Sequence, residues 1–160
     1  MSYTLTPFNC FVDDVHDGKH DLSADTLKLL LTDTAPNVAD TVVDTTGGVC
    51  VVKSTSNANE IAAGNGYTKG GETVGIASST QTAGVYKLVA SATVPFTASG
   101  VGNIGPFRYG VLYNVSKGAA ATRPVIAKID FGAEFTLSGP DGNILTVSFD
   151  AANGIMQDHP

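Results

Sequence analysis

The sequence predicts an all-β fold: a single-domain β-sandwich, with jelly-roll connections as the expected form and one short N-terminal helix. Three observations carry this expectation. Only 15 % of the 160 residues are charged while 42 % are hydrophobic, against a charged fraction of roughly 25 % in an average soluble domain. Eighteen glycines, seven prolines and about thirty serines and threonines make up the difference, a mixture too apolar for a disordered tail and too interrupted for a helical bundle. Apolar runs then recur at the eight-to-twelve-residue spacing of sandwiches and barrels. At this length the chain holds one domain with a substantial core.

The opening segment, residues 1–24, carries the one helical pattern. Phe8, Phe11, Val12 and Val15 fall at i, i+3, i+4 and i+7, the period of an amphipathic helix. Thr6 is a candidate N-cap, Pro7 suits the first helical position, and Gly18 is a natural stop. The sandwich, residues 25–160, begins with DTLKLLLT, where Leu27, Leu29 and Leu31 share one face. Leu30 points the other way, so this strand is expected to be covered on both sides. Residues 33–59 are rich in Pro, Asp, Asn, Ser and Thr and read as a surface excursion, with residues 47–53 as part of an extra hairpin. Further strands are expected near residues 72–78, 85–90, 92–97, 107–115, 125–130, 134–137 and 145–150. Pro95 places its strand at an edge or on a bulge. The SGPDGN segment reads as the turn between the last two strands.

Charge and motifs exclude more than they assign. Fifteen acids against nine bases give a net charge of −6, contrary to the concentrated positive surface that a nucleic-acid partner demands. The N-terminus has neither the basic nor the apolar region of a secretory signal, and no run is long enough to span a membrane. Cys10 and Cys50 are too few for a disulfide framework, and free thiols from a reducing cytosol are the expected state.

His16 and His20 sit four apart in DDVHDGKHD, a spacing that on a continuous helix presents two imidazoles to a metal. Gly18 between them and the want of a third ligand favour a solvated helix end instead. As a calcium loop the stretch fails at Val15 and Ala24, where oxygen ligands belong. GNGYTKGG is not a P-loop, because Lys69 precedes Gly70 and no Ser or Thr follows at a helix start. Its glycines are expected to serve turns with positive φ. Asp13 and Asp14 belong to a solvated acidic run. No G-x-S-x-G occurs, and neither a cofactor motif nor a catalytic constellation emerges; the chain is not expected to be an enzyme.

Several segments together resemble a known family. FNCFVDDVHDGKHDLSADTLKLLLTDTAP, EIAAGNGYTKGG, IGPFRYGVLYN, IAKIDFGAEFTL and LTVSFDAANGI, in that order, are similar to a group of small virion proteins of tailed bacteriophages. Residues 60–71 and 105–114 are the most specific, while residues 38–59 exceed the family pattern, with 47–53 as the insertion. The resemblance implies a capsid decoration (cement) protein, made in the host cytoplasm and bound to the outer surface of the virion shell. Its partners would be the major capsid protein and copies of itself, as a dimer or trimer, with neither nucleic acid nor membrane involved. Pro7, Phe8, Phe11, Val12 and Val15 are the candidate partner-binding residues; the competing reading is that these side chains cap the open end of the sandwich. Two other functions stay open. One is a tail component (tube, terminator or baseplate); the other is a carbohydrate-binding sandwich using Tyr67, Tyr86, Tyr109 and Tyr113.

Overall fold

A computed structural model describes residues 3–90, 93–150 and 154–158. The chain runs through β1 (Thr4–Pro7), α1 (Phe11–His16), β2 (Leu27–Thr32), β3 (Val42–Asp44), β4 (Val51–Lys53), β5 (Ala58–Asn59) and β6 (Glu72–Val74). It continues through β7 (Ile76–Thr82), β8 (Val85–Ala90), β9 (Val94–Thr97), β10 (Asn103–Asn114), β11 (Arg123–Ser138), β12 (Ile144–Val147) and β13 (Met156–Asp158). Among the described residues all the strand pairings are antiparallel, and the fold is all-β.

Strands β2, β10 and β11 form a central wall with two apolar faces. Leu29 lies opposite Leu112 and Leu30 opposite Val111, so alternation sends successive leucines to opposite sides. On one side Leu27, Leu29 and Leu31 join Leu112, Ile126 and Ile129 and pack against Leu88, Phe96 and Val147. Those partners come from two small sheets, β9–β12 and β7–β8–β13. On the other side Leu30, Val111 and Val125 meet Phe8, Val43, Cys50, Val52 and Ala58. Leu30 is therefore covered from the face opposite its neighbours, as its register demands.

The second core is enclosed by a closed path of strands. Pairing runs β2–β10–β11–β3–β4–β5, then returns to the end of β2 through a Thr32–Glu60 bridge and the Ile61 N–H bond to the Leu31 carbonyl. Closure leaves this small barrel without a free edge along that path. Residues 33–59 are consequently not a surface excursion. Their polar turns face water, but Val43, Cys50, Val52 and Ala58 are buried and supply the wall that the second face of β2 requires.

The N-terminal segment also differs from expectation. Thr6 and Pro7 extend β1, which pairs with Lys128 and Ala127 of β11, and the Phe8 N–H continues that ladder to the Ile126 carbonyl. The helix starts only at Phe11, with Cys10 at its N-cap. Local periodicity yields here because a strand edge and two separate cores compete for the same residues: Phe8 enters the barrel, Phe11 the other core. Gly18 does follow the helix end, at φ +71°, with its N–H on the Val15 carbonyl.

Residues expected as two strands, 125–130 and 134–137, form the single long β11, kinked at Gly132 with φ +81°. Pro95 lies on β9, in a two-stranded sheet where each strand is an edge, as a residue without an N–H requires. The strand expected at 92–97 is seen from Val94; residue 92 lies outside the described residues. The SGPDGN turn joins β11 to β12, and β13 was not anticipated. The three sheets do not establish jelly-roll connections.

All four glycines of GNGYTKGG have positive φ. At Gly71, with φ +73°, a Cβ would stand 1.9 Å from the Leu29 carbonyl oxygen, so backbone there runs directly against β2. Gly71→Ala is expected to cost more than about 3 kcal/mol. Gly18→Ala, at similar φ but with nothing within 4 Å, should cost only about 1 kcal/mol. Urea unfolding of the two variants checks the contrast; equal losses would mean that φ alone, not the close approach, sets the cost.

Candidate functional site

An apolar concavity lies along α1. It is a groove of about 770 Å³ bounded by Phe11, Val12, Val15, Leu22 and Tyr86, with Pro7 at its margin. Four of the five candidate partner-binding residues thus meet at one place. Phe8 does not: it is 2 % exposed in the barrel core. Phe11 is also buried and serves as the groove floor, its ring 5.4 Å from the His20 ring and tilted 45° to it. The helical stripe is therefore divided, since Val12 is 56 % and Val15 37 % exposed while the two phenylalanines close cores.

Local charge holds the helix in place. Asp13 and Asp14 occupy its first turn, where the partial positive charge of the helix end favours acids. Asp14 is buried and accepts a hydrogen bond from Lys19 Nζ at 2.6 Å. Burial, reinforced by Asp14, pushes the Cys10 thiol up to about 11, so it stays protonated and unreactive at neutral pH. Cys50 is buried as well, its thiol pushed up to about 12 by burial and by Glu60. Both cysteines are free.

The two histidines do not converge. His16 is exposed, its Nδ1 2.8 Å from the Val12 carbonyl. His20 is buried, its Nδ1 3.1 Å from Asn114 Nδ2 and its Nε2 without a hydrogen-bond partner among the described residues. The turn at Gly18 breaks the continuous helix that a shared ligand face would require. No group of three His, Cys, Asp or Glu side chains among the described residues is arranged to hold a metal. Of the tyrosines considered as sugar platforms, Tyr67 and Tyr113 are buried with hydroxyls bonded inside the protein.

Asp14, expected in a solvated run, is buried, and motif reasoning passed over two further buried acids, Glu60 and Asp40. Glu60 Oε1 accepts hydrogen bonds from Tyr67 Oη at 2.7 Å and the Gly70 N–H at 2.6 Å, and Oε2 accepts from the Cys50 N–H at 2.9 Å. The Tyr67 oxygen in turn accepts from the Leu31 N–H. Asp40 accepts from the N–H groups of Asn37, Thr55 and Ser56 and from Ser56 Oγ. Burial alone would raise the Asp40 pKa, but these four bonds outweigh it and hold the carboxyl below its usual range. Each oxygen of both carboxylates is engaged with loop backbone. The signal available in the sequence was an acid beside a strand, with turn residues three to sixteen positions away, and it is too diffuse to single out.

Two predictions follow from these placements. Glu60→Ala strands three buried donors at about 1–3 kcal/mol each, so thermal unfolding should show a loss of at least about 3 kcal/mol. Glu60→Gln, which keeps one acceptor, should lose less. Burial lowers the His20 pKa, so below about pH 6.5 the unfolded chain takes up a proton that the folded chain refuses. Stability contributed by neutral His20 is complete above that pH and is lost as pH falls through the lowered folded value. His20→Gln should flatten the pH dependence of the urea midpoint in this window; an unchanged slope would refute the assignment.

Compared with models of protein families, with curated proteins and with solved structures, the chain matches none.

Proposed function

We propose that the chain is a structural protein of a tailed-phage virion: a capsid decoration (cement) protein that binds the outer surface of the major capsid protein shell and stabilises it. The observation that carries this reading is the pair of exposed valines on α1, Val12 and Val15, beside a large apolar groove. The two cores are filled without them. Fully burying an exposed valine contributes about 1.5–3 kcal/mol, and these two, already partly covered, gain less each, modest for one contact. A shell repeats the contact many times, and repetition converts modest contacts into firm attachment. The acidic balance suits a surface turned away from packaged DNA. Few charges with abundant Ser, Thr and Gly suit packing beside copies of the same chain.

The groove narrows the docking surface to Pro7, Val12 and Val15, with Phe11 beneath. Phe8 belongs to the barrel. Removing the N-terminal segment would not test this, because β1 and both phenylalanines are part of the fold. The double variant Val12→Asp, Val15→Asp changes only exposed positions. It is expected to keep the wild-type unfolding midpoint within about 0.5 kcal/mol and to lose association with shells assembled from the major capsid protein, read by co-sedimentation and cryo-electron microscopy. Unchanged decoration by this variant would overturn the docking surface. Density on the tail of the particle instead of the head would move the protein to the tail.

A further inference from the structure

At one end of the barrel the inward-facing rows turn from apolar to polar together, two of the three to a cation. On β2 the row holding Leu30 continues to Lys28, on β10 the row holding Val111 continues to Tyr113, and on β11 the row holding Val125 continues to Arg123. Lys28 lies opposite Tyr113, and Tyr113 opposite Val125. Lys69 reaches the same place from the loop before β6. These side chains, with Cys50 and Gly70, line a pocket of about 240 Å³, room for about eight waters at roughly 30 Å³ each.

The three cations are held by backbone and not by acids. Lys28 Nζ donates to the Gly71 carbonyl at 3.3 Å. Lys69 Nζ donates to the Thr45 carbonyl at 2.8 Å and to that of Gly47. Arg123 Nη1 donates to the carbonyls of Val115, Lys117 and Gly118. None of the three has a carboxylate within ion-pair distance among the described residues, whereas Lys19, Lys53, Arg108 and Lys117 each do. In a chain with fifteen acids and nine bases, a shortage of acids does not explain this.

Donors also remain unspent. A lysine carries three N–H donors and an arginine five, so Lys28 keeps two, Lys69 one, and Arg123 its Nε and Nη2 groups. Glu60 lies behind the pocket wall, bonded to the N–H groups of Cys50 and Gly70. One buried carboxylate against three cations leaves an excess of positive charge.

We propose that this pocket binds a phosphate group, either as inorganic phosphate or as the phosphate of a small monoester. A phosphate carries about −1.5 to −2 charge at neutral pH and three or more acceptor oxygens, matching both the charge excess and the free donors. The cations are fixed in advance by the barrel and its loops, so little side-chain order is lost on binding. The pocket is not a P-loop: no helix follows Lys69, and the chain runs from Gly71 into β6. The site stands independently of the virion reading.

The test is a titration of the full chain with inorganic phosphate, then with glycerol 3-phosphate, by calorimetry and ³¹P line width at about 0.15 M ionic strength, with chloride as control. Saturable phosphate binding with Kd at or below about 1 mM is expected. Lys69→Gln should weaken it about ten- to hundredfold, the worth of one charged hydrogen bond, and Lys69→Arg should restore most of it. Lys53→Gln, outside the pocket, should leave it unchanged. Should Lys69→Gln fail to fold, Lys28→Gln replaces it, since Lys28 holds a single carbonyl. Tighter binding of glycerol 3-phosphate assigns the site to a monoester, and tighter inorganic phosphate to the free ion. A response no different from chloride, or equal binding by folded wild type and the lysine variants, would overturn the proposal.

Discussion

Leu29, Leu30 and Leu31 cannot all point the same way in an extended strand, and the architecture follows from that constraint. With β2 in the middle of a sheet, each face presents leucine and each must be covered. The face of Leu29 and Leu31 is met by small sheets from the second half of the chain, around Leu88, Phe96 and Val147. The face of Leu30 is met by the polar-looking segment between β2 and β6, which curls over through β3, β4 and β5 and bridges back to Thr32. A chain of 160 residues therefore builds two cores on one shared wall, instead of one core between two sheets.

Curling so short a segment into a barrel gathers turns whose backbone groups lack ladder partners. Buried Glu60 and Asp40 resolve this by accepting several N–H donors each. A carboxylate offers about four acceptor positions and suits such a convergence better than a neutral side chain. The low charge content acquires a physical meaning here. Charged residues are few, but two acids are buried where the barrel closes, and Lys28, Lys69 and Arg123 hold carbonyls at its cationic end.

How far the sequence disclosed this depended on whether the signal was local. Strand existence was legible, because alternation and Gly or Pro punctuation act over a few residues: β2, β8, β10 and the SGPDGN turn lie where expected. The two-sided burial of Leu30 was legible for the same reason. Closure of the barrel was not, since Val43, Cys50, Val52 and Ala58 are isolated apolar residues among polar turns and reveal a core only once their partners are known. The N-terminal stripe misled because Phe8 and Phe11 fit a helical period yet serve two different cores. The groove was half legible through Val12 and Val15. The cationic pocket was not legible, since Lys28, Lys69 and Arg123 are spread along the chain and are joined only by strand register and by the loop before β6.

The loop at residues 115–118 links the two surfaces. Its carbonyls are gathered by Arg123 Nη1 at the barrel end, while its Lys117 lines the α1 groove and pairs with Asp25 at 3.6 Å. Asp25 in turn accepts a hydrogen bond from Asn114 Nδ2, which also meets His20 on the groove floor. Arg123 thus serves both places: its Nη1 shapes the loop beside the groove, and the residue lines the pocket. Loss of the guanidinium would disturb both surfaces at once, so Lys69 and Lys28, which touch only the barrel end, are the residues that separate them.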